Sequence, residues 1–246
     1  VRTAADWERL QPLDPERGNL GDQLQVLHEL KRNLKDRGVA DLPVIPTIYS
    51  PLTTAYKLGG DRLFADLREN PSRIHKALEI LTETTTRYAE KCLQLGAEGF
   101  FFASQLSNYQ MMDDATYEAF GEPYDLRVFE SFQGRTFFDI VHIHGEQAMF
   151  GKLASYPAHC LSWHDRWIGP ALHEARALTG KCLLGGIDEE RAFGVFDDAA
   201  FAAHVREALE LGGQRGFILG PGCTAYPHLP DAHLQIIRRE LGFGVQ

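Results

Sequence analysis

The chain has 246 residues, of which 44% are hydrophobic and 24% are charged, and its formal net charge is -9. This composition is typical of a globular protein, and the length suffices for one large domain or two small ones. The negative charge argues against nucleic-acid binding, because nucleic-acid binders normally carry a basic patch. No apolar run approaches the roughly 20 residues that span a bilayer. Four cysteines without a CxxC pair indicate free thiols in a reducing cytoplasm rather than disulfides.

The hydrophobic pattern predicts strands that alternate with helices along the whole chain. The predicted helices are 21–38, 53–67, 71–95, 113–129, 146–156, 170–179, 199–211 and 231–241. The predicted strands are 43–49, 99–104, 138–144, 159–163, 182–187 and 216–219. Such alternation predicts a parallel sheet with helices outside it. Because no change in composition marks a linker, residues 1–246 are predicted to form a single domain.

Six predicted strands are two fewer than a closed (β/α)8 TIM barrel needs. A helix precedes the first predicted strand, so we expect the two further strands to lie upstream of Val1 and the barrel to be N-terminally incomplete. In such barrels the carboxyl ends of the strands meet at one face, where the active site forms. Polar side chains follow most of the predicted strands: Tyr49, Ser104, Gln105, His142, His144, Glu146, His164, Asp165, Asp188 and Cys223.

Residues 141–144 alternate apolar and histidine side chains, which is the period of a strand with one packed face. His142 and His144 would share the other face, about 6.5 Å apart along the strand. Two imidazoles in that arrangement suit one metal ion or one anionic substrate. The alternative is a pair of structural histidines that are hydrogen-bonded to Glu146 or Asp188.

Other polar residues near the predicted strand ends have both a functional and a structural interpretation. Cys223 follows a Gly-Pro-Gly turn that lets the backbone approach a ligand, but free cysteine is also a common buried apolar residue. Glu146 is either an acceptor for a ligand histidine or a carboxylate in the first turn of a helix. Asp188 follows two glycines that open space, so we expect it to face the cavity and orient a ligand histidine or bind a cationic substrate.

The neighbours His164 and Asp165 could relay a proton. A salt bridge from Asp165 to Arg166 or to a neighbouring unit is the simpler interpretation. No dinucleotide-binding or P-loop motif is present in the sequence. The residues predicted to form pocket walls are Tyr49, Gln105 and Tyr109.

Six short segments of the sequence are 49–53 (YSPLT), 99–105 (GFFFASQ), 120–124 (FGEPY), 142–145 (HIHG), 184–188 (LGGID) and 220–224 (GPGCT). These segments, in this order, resemble the uroporphyrinogen decarboxylase superfamily. The resemblance covers essentially the whole chain. It implies a (β/α)8 barrel, in agreement with the strand pattern, whose first two strands would precede Val1.

One branch of this superfamily decarboxylates a tetrapyrrole in haem biosynthesis without a metal or cofactor. Its arginine-rich segment and its aspartate, from the first two strands, have no match in this sequence. Ser104 matches a serine that contacts substrate in that branch. Pro221 occupies the position of its histidine, and Tyr56 falls beside the position of its tyrosine. The resemblance therefore supports decarboxylation poorly.

The other branch contains zinc-dependent methyltransferases that work with corrinoid proteins. Their ligands are a His-x-Cys pair after the fifth strand and a Cys after the eighth, and His142, His144 and Cys223 resemble this layout. His144 replaces the first cysteine of that set. Two imidazoles, one thiolate and an open position are a familiar catalytic zinc set, with a net charge of about +1. A single thiolate would activate a thiol acceptor less than two would, which leaves the class of acceptor open.

The sequence therefore predicts zinc-dependent methyl transfer between a corrinoid partner or methyl donor and a small acceptor. The predicted zinc ligands are His142, His144 and Cys223; the predicted catalytic residues are Glu146, Asp165 and Asp188; the predicted substrate contacts are Tyr49, Ser104, Gln105, Tyr109 and His164. The first alternative is tetrapyrrole decarboxylation. The second is a non-catalytic binding protein, because a barrel without two strands would expose sheet edges that a partner or a homodimer would cover.

Overall fold

A computed structural model of the protein describes residues 1–192, 194–224 and 230–243. In these residues six strands form one sheet in chain order: β1 (Thr47–Tyr49), β2 (Phe101–Ser104), β3 (Ile140–Ile143), β4 (Cys160–Trp163), β5 (Cys182–Ile187) and β6 (Phe217–Pro221). The pairs β1–β2, β4–β5 and β5–β6 are parallel. All six predicted strands are confirmed, and with them the predicted alternation of strands and helices.

Ten α-helices connect or flank these strands within the described residues. They are α1 (Gly18–Asp36), α2 (Pro51–Gly59), α3 (Arg62–Glu69), α4 (Pro71–Gln94), α5 (Asp114–Phe120), α6 (Glu122–Glu130), α7 (Phe150–Leu153), α8 (Leu172–Leu178), α9 (Asp198–Gly212) and α10 (Asp231–Glu240). A short 3-10 helix, Ala4–Arg9, precedes them. Each of these helices is too short or too polar to serve as a membrane span.

Three helices differ from the prediction. The predicted helix 53–67 is two helices, because Gly60 adopts a φ of 56° and ends α2. The predicted helix 113–129 is divided at Gly121 into α5 and α6. The predicted helix 146–156 begins only at Phe150, since Gly145 and Gln147 both have positive φ angles. The interpretation of Glu146 as a carboxylate in the first turn of a helix is therefore wrong.

The chain forms two compact units. The first comprises Val1–Ser107 and Met111–Val141, and the second comprises Asn108–Gln110 and His142–Gln246. In the first unit, Phe100, Phe102, Phe129 and Phe132 form a buried aromatic core with ring centroids 4.7 to 5.2 Å apart. In the second unit, apolar side chains that include Ile187, Phe201, Val205 and Ile236 form a separate core. That the whole chain is a single domain stays a prediction.

A buried carboxylate ties the N-terminal 3-10 helix to α3 in the first unit. Asp66 is fully buried, accepts a hydrogen bond of 2.8 Å from Trp7 Nε1 and pairs with Arg62 Nε at 3.0 Å. Asn70 also donates to this carboxylate at 3.1 Å. Removing such a group leaves the buried donors without an acceptor, which costs more than the hydrogen bonds alone contribute.

Asp66→Ala is therefore expected to lower the free energy of unfolding by about 3 kcal/mol. Chemical denaturation followed by tryptophan fluorescence measures the change, because Trp7 loses its hydrogen-bond partner. Asp41→Ala is the matched control, since Asp41 is exposed. Equal unfolding midpoints for the two variants would contradict this role of Asp66.

Candidate metal centre

Four potential metal ligands lie at the carboxyl ends of strands in the second unit. His142 lies in β3 and His144 follows that strand, while His164 follows β4 directly and Cys223 follows β6 after one glycine. In β3, Val141 and Ile143 are fully buried in the apolar core. Because side chains alternate along a strand, His142 and His144 extend from the opposite face.

These four residues, His142, His144, His164 and Cys223, form the ligand cluster. One nitrogen or sulfur atom from each lies within 4.8 Å of those from the other three. His144 Nδ1 is 3.6 Å from Cys223 Sγ and 3.1 Å from His164 Nε2. The structure thus brings together the three predicted ligands and adds His164, a predicted substrate contact.

Buried polar groups contact two histidines of the ligand cluster at the ring nitrogen Nδ1. His142 Nδ1 lies 3.2 Å from Ser162 Oγ, and His164 Nδ1 makes a short hydrogen bond with Glu189 Oε1. Each contact occupies one ring nitrogen and leaves Nε2 for the ligand cluster. Hydrogen bonds of this kind set the orientation and tautomer of a metal-binding imidazole. The predicted partners of the histidines, Glu146 and Asp188, do not make these contacts.

The electrostatics of the ligand cluster favour a thiolate at Cys223. Burial alone would raise the pKa of this thiol, but hydrogen bonds with His142, His144 and His164 together lower the pKa to about 3. For His164 burial has the opposite effect and alone would lower the pKa. Its hydrogen bonds with Cys223 and Glu189 nevertheless raise the pKa to about 9. At neutral pH a metal ion would therefore bind Cys223 as a thiolate and would displace a proton from His164.

Glu189 is buried at the back of the ligand cluster, with 3% of its surface exposed. Its Oε1 contacts His164, and its Oε2 is buried without a hydrogen-bond partner among the described residues. Gly222 packs against this carboxylate: a Cβ at Gly222 would lie 2.8 Å from Glu189 Oε2 and 2.8 Å from the Trp163 carbonyl oxygen. The position before Cys223 therefore requires glycine, because any larger side chain would overlap Glu189 and the Trp163 backbone.

Gly222→Ala is expected to destabilise the protein by about 2 kcal/mol, because the new methyl group overlaps a backbone oxygen and a buried carboxylate. It should also weaken metal binding, since the displaced backbone carries Cys223. Gly151→Ala is the control, because a Cβ at Gly151 meets nothing within 4 Å. Thermal unfolding and metal titration of both variants test this expectation, which fails if Gly222→Ala behaves like the control.

The ligand cluster borders a cavity of about 330 Å³. His144, His164 and Cys223 line it together with Trp167, whose ring centroid lies 5.2 Å from that of His164. Its acidic lining residues are Glu146, Glu189 and Glu190, and no lysine or arginine lines it among the described residues. A small molecule in this cavity would therefore contact the ligand cluster, an aromatic ring and carboxylates.

Two of the predicted catalytic carboxylates, Asp188 and Asp165, make contacts that stabilise the local backbone. Asp188 accepts hydrogen bonds from the backbone N–H groups of Glu190 and Arg191 and pairs with Arg191 Nε at 2.7 Å. Burial opposes its charge, but these contacts with Arg191 leave the pKa of Asp188 lowered. Asp165 fills the space beside Gly185 and accepts two contacts from Gly186 N at 3.0 and 3.1 Å. Its burial raises its pKa to about 6.

The predicted partner of Asp165 is also different. Arg166 Nη2 pairs with Glu207 at 2.9 Å and contacts His204 Nδ1 at 3.1 Å. The side chain of Asp165 contacts the neighbouring strand β5 instead, through Gly186. The third predicted catalytic carboxylate, Glu146, is exposed at the cavity and accepts a hydrogen bond of 2.7 Å from Gln110.

The remaining predicted substrate contacts lie in both units. Tyr109, in the second unit, is 49% exposed, and its N–H donates to the Gln147 carbonyl at 3.0 Å. In the first unit, Tyr49 lines an apolar cavity of about 380 Å³. Ser104 is buried with its Oγ 3.5 Å from Tyr117 OH, and Gln105 N donates to Thr53 Oγ1 at 2.9 Å. Their roles in substrate binding stay predictions.

The sequence pattern does not predict a role for Ser162 or Glu189. Ser162 and His164 are two residues apart at the end of β4, as His142 and His144 are at the end of β3. This repeated period of two was a usable signal for placing both pairs on one face. Glu189 had no comparable signal, because it follows Asp188 in a turn.

The donor atoms of the ligand cluster fit a zinc ion. Three imidazoles and one thiolate are the nitrogen and sulfur ligands that Zn²⁺ prefers, and a histidine paired with a carboxylate is a common partner of bound zinc. Three of these ligands would leave one position for a substrate, as catalytic zinc sites do.

The family model described as "Uroporphyrinogen decarboxylase (URO-D)" matches residues 1–240. The methylcobamide:CoM methyltransferase MtbA of Methanosarcina acetivorans is 21% identical over 244 residues, which cover 96% of this chain and 67% of that protein. The protein of the same name from Methanosarcina mazei is 20% identical over 241 residues, with the same two coverages.

A solved structure shares this fold. It is a methyltransferase from Methanosarcina mazei with a TM-score of 0.78 and 20% sequence identity, covering 94% of this chain and 69% of that one. The predicted α/β fold class and the predicted resemblance to the methyltransferase branch are confirmed. The chain belongs to the uroporphyrinogen decarboxylase family, and its relatives place it on the methyltransferase-like side of that family.

Proposed function

We propose that this protein is a zinc-dependent methyltransferase that moves a methyl group from a methylated corrinoid, carried by a partner protein, to a small acceptor. The observation that carries the proposal is the ligand cluster, whose four donor atoms lie within 4.8 Å of one another beside a cavity. The two similar proteins named methylcobamide:CoM methyltransferase support the choice of donor.

We assign His142, His144 and Cys223 as the permanent zinc ligands, and His164 would hold the fourth position until the acceptor displaces it. Zinc bound there would supply a Lewis acid that favours the deprotonated form of an acceptor such as a thiol. Cys223 offers the only thiolate of the ligand cluster, so the site would keep a charge of about +1. His144 in place of a second cysteine thus makes this site more electrophilic.

His164 is the residue best placed to handle the acceptor's proton. Its Nδ1 is held by Glu189, and its Nε2 faces the ligand cluster at the cavity. In the proposed reaction the carbon–cobalt bond of the donor breaks and its electron pair stays on cobalt. The methyl group bonds to the acceptor atom, and the acceptor loses one proton, which His164 Nε2 is positioned to receive.

The lining of the cavity favours a neutral or cationic acceptor over an anionic one. Glu146, Glu189 and Glu190 border it, and none of the described lining residues is a lysine or arginine. An acceptor with a negative group would be repelled by these carboxylates, and only the charge of about +1 at the zinc site would offset that repulsion. An ammonium group would instead meet opposite charges and the aromatic ring of Trp167.

The test begins with metal analysis of the purified protein, followed by assay of methyl transfer. Free methylcobalamin is the donor probe, and 2-mercaptoethanol, cysteamine and 2-mercaptoethanesulfonate are neutral, cationic and anionic acceptor probes. We expect one zinc per chain and metal-dependent methylation that is slowest with the anionic thiol. Removing zinc with a chelator should abolish transfer, and adding zinc back should restore it.

Two results would contradict the proposal. A protein that binds no stoichiometric metal at high affinity would remove the zinc site. Methyl transfer that continues at the same rate after complete metal removal would show that the ligand cluster does another task. Preference for the anionic thiol would leave zinc in place but overturn the assigned acceptor class.

A further inference from the structure

Cys160 and Cys182 lie directly opposite each other at the amino ends of two neighbouring strands. The register of the parallel pair β4–β5 matches Cys160 with Cys182. Neighbouring strands are about 4.8 Å apart, which falls within the range of Cα distances that a disulfide spans, about 4.4–6.8 Å. Paired residues of parallel strands project from the same face of the sheet, so the two thiols lie side by side.

The two thiols have different surroundings. Cys160 is fully buried, whereas Cys182 is partly exposed. The hydrogen bond from Cys160 and the charge of Arg176 lower the pKa of Cys182 to about 7, and the pKa of Cys160 is raised, chiefly through its contact with Cys182. Arg176 is fixed by hydrogen bonds to the carbonyl oxygens of Lys181, Gly212 and Gly216.

Because of this difference, the two cysteines would have different roles in an oxidation. A partly exposed thiolate is the sulfur that reacts first with an oxidant, because the thiolate is the nucleophilic form. Once Cys182 is oxidised, the charge that raised the pKa of Cys160 is gone, so Cys160 can give up its proton and displace the oxidised group. The pair therefore has an attacking sulfur, a resolving sulfur and a spacing that allows them to join.

We propose that Cys160 and Cys182 form a redox-active dithiol that hydrogen peroxide converts into a disulfide bond between β4 and β5. The Cys182 thiolate attacks one peroxide oxygen, so that a sulfur–oxygen bond forms, the oxygen–oxygen bond breaks and the first water leaves after protonation. Cys160 sulfur then attacks Cys182 sulfur, the sulfur–oxygen bond breaks and the second water leaves with the proton of Cys160. The dithiol loses two electrons and peroxide gains them.

The dithiol is separate from the ligand cluster. Cys160 and Cys182 are the first residues of their strands, whereas His164 and Glu189 follow the last residues of the same strands. Cys223 is at the far end of β6. The proposal therefore does not depend on whether a metal ion is bound or on the reaction that the protein catalyses.

Peptide mapping of the folded full chain tests the dithiol. The protein is treated with hydrogen peroxide, remaining thiols are blocked with N-ethylmaleimide, and tryptic peptides are analysed by mass spectrometry without reduction. Trypsin places the two cysteines in peptides 153–166 and 182–191. We expect these peptides to be joined in most molecules with a loss of two hydrogens, and to separate again after dithiothreitol.

Single variants assign the two sulfurs. Cys182→Ser should abolish the joined peptides and leave Cys160 reduced, whereas Cys160→Ser should leave a sulfenic acid on Cys182 that dimedone traps. Cys92→Ser is the control and should keep the joined peptides, because Cys92 lies on α4 in the first unit.

The reduced wild-type protein gives a second measurement that needs no variant. N-ethylmaleimide should modify Cys182 before Cys160 and Cys92. The proposal is overturned if the joined peptides form only after urea unfolds the chain, if Cys182 joins Cys223 instead, or if Cys182 is modified no faster than Cys92.

Discussion

Replacing Cys223 with alanine is expected to abolish stoichiometric zinc binding and, with it, methyl transfer. Cys223 offers the only thiolate of the ligand cluster, and its three histidine partners lie around it. Loss of this thiolate ligand is expected to weaken the affinity for zinc roughly 10³-fold, which corresponds to about 4 kcal/mol. Competition with a chromophoric chelator measures the affinity, and the methylcobalamin assay measures the activity.

Cys182→Ala is the matched control for this experiment. Cys182 is also a partly buried free thiol of the second unit, but it lies at the opposite end of its strand and outside the ligand cluster. The control should bind zinc with the affinity of the unaltered protein. If Cys223→Ala also retained that affinity, Cys223 could not be a ligand and the assignment of the centre would have to change.

The parts of the site that the sequence predicts are those fixed by strand periodicity. His142 and His144 alternate with Val141 and Ile143, so their common face follows from the geometry of a strand alone. Cys223 could be placed beside them because the carboxyl ends of parallel strands lie at one edge of a sheet. These rules need no knowledge of side-chain packing, and the structure places all three residues in the ligand cluster.

The incorrect predictions concern residues in the turns that follow the strands. After Ile187 the sequence has three adjacent carboxylates, Asp188, Glu189 and Glu190. Asp188 turns back to accept hydrogen bonds from the backbone N–H groups of Glu190 and Arg191, and this leaves Glu189 to reach His164. Which of two neighbouring side chains faces a site depends on the turn, and no periodic pattern extends into it.

The glycines before Asp188 do leave space beside β5, but Asp165 and not Asp188 occupies it. The volume beside Gly185 is filled by the carboxylate of Asp165, which comes from the neighbouring strand end and accepts from Gly186 N. A contact between residues 20 positions apart depends on the register of β4 against β5. Sequence patterns within one strand do not contain that register.

Glu189 is the residue for which the structure predicts the largest effect outside the ligand cluster. It is 3% exposed, and its hydrogen bond with His164 Nδ1 fixes the tautomer in which Nε2 carries the free lone pair. Glu189→Ala is expected to weaken zinc binding by about 100-fold and Glu189→Gln by about 10-fold, because the amide keeps a hydrogen-bond acceptor without the charge. A chelator competition assay measures both variants.

Glu190→Gln separates this effect from a general change in the charge of the cavity. Glu190 is the next residue and lines the same cavity, but Glu189 makes the hydrogen bond to His164.

Cobalt substitution adds a readout that a loss of stability would not produce. If Glu189 positions His164, the visible absorption bands of the cobalt-loaded protein should shift in both Glu189 variants and stay unchanged in Glu190→Gln. Unchanged bands and affinities in all three variants would mean that His164 stays in place without Glu189. The carboxylate would then only fill the space beside Gly222.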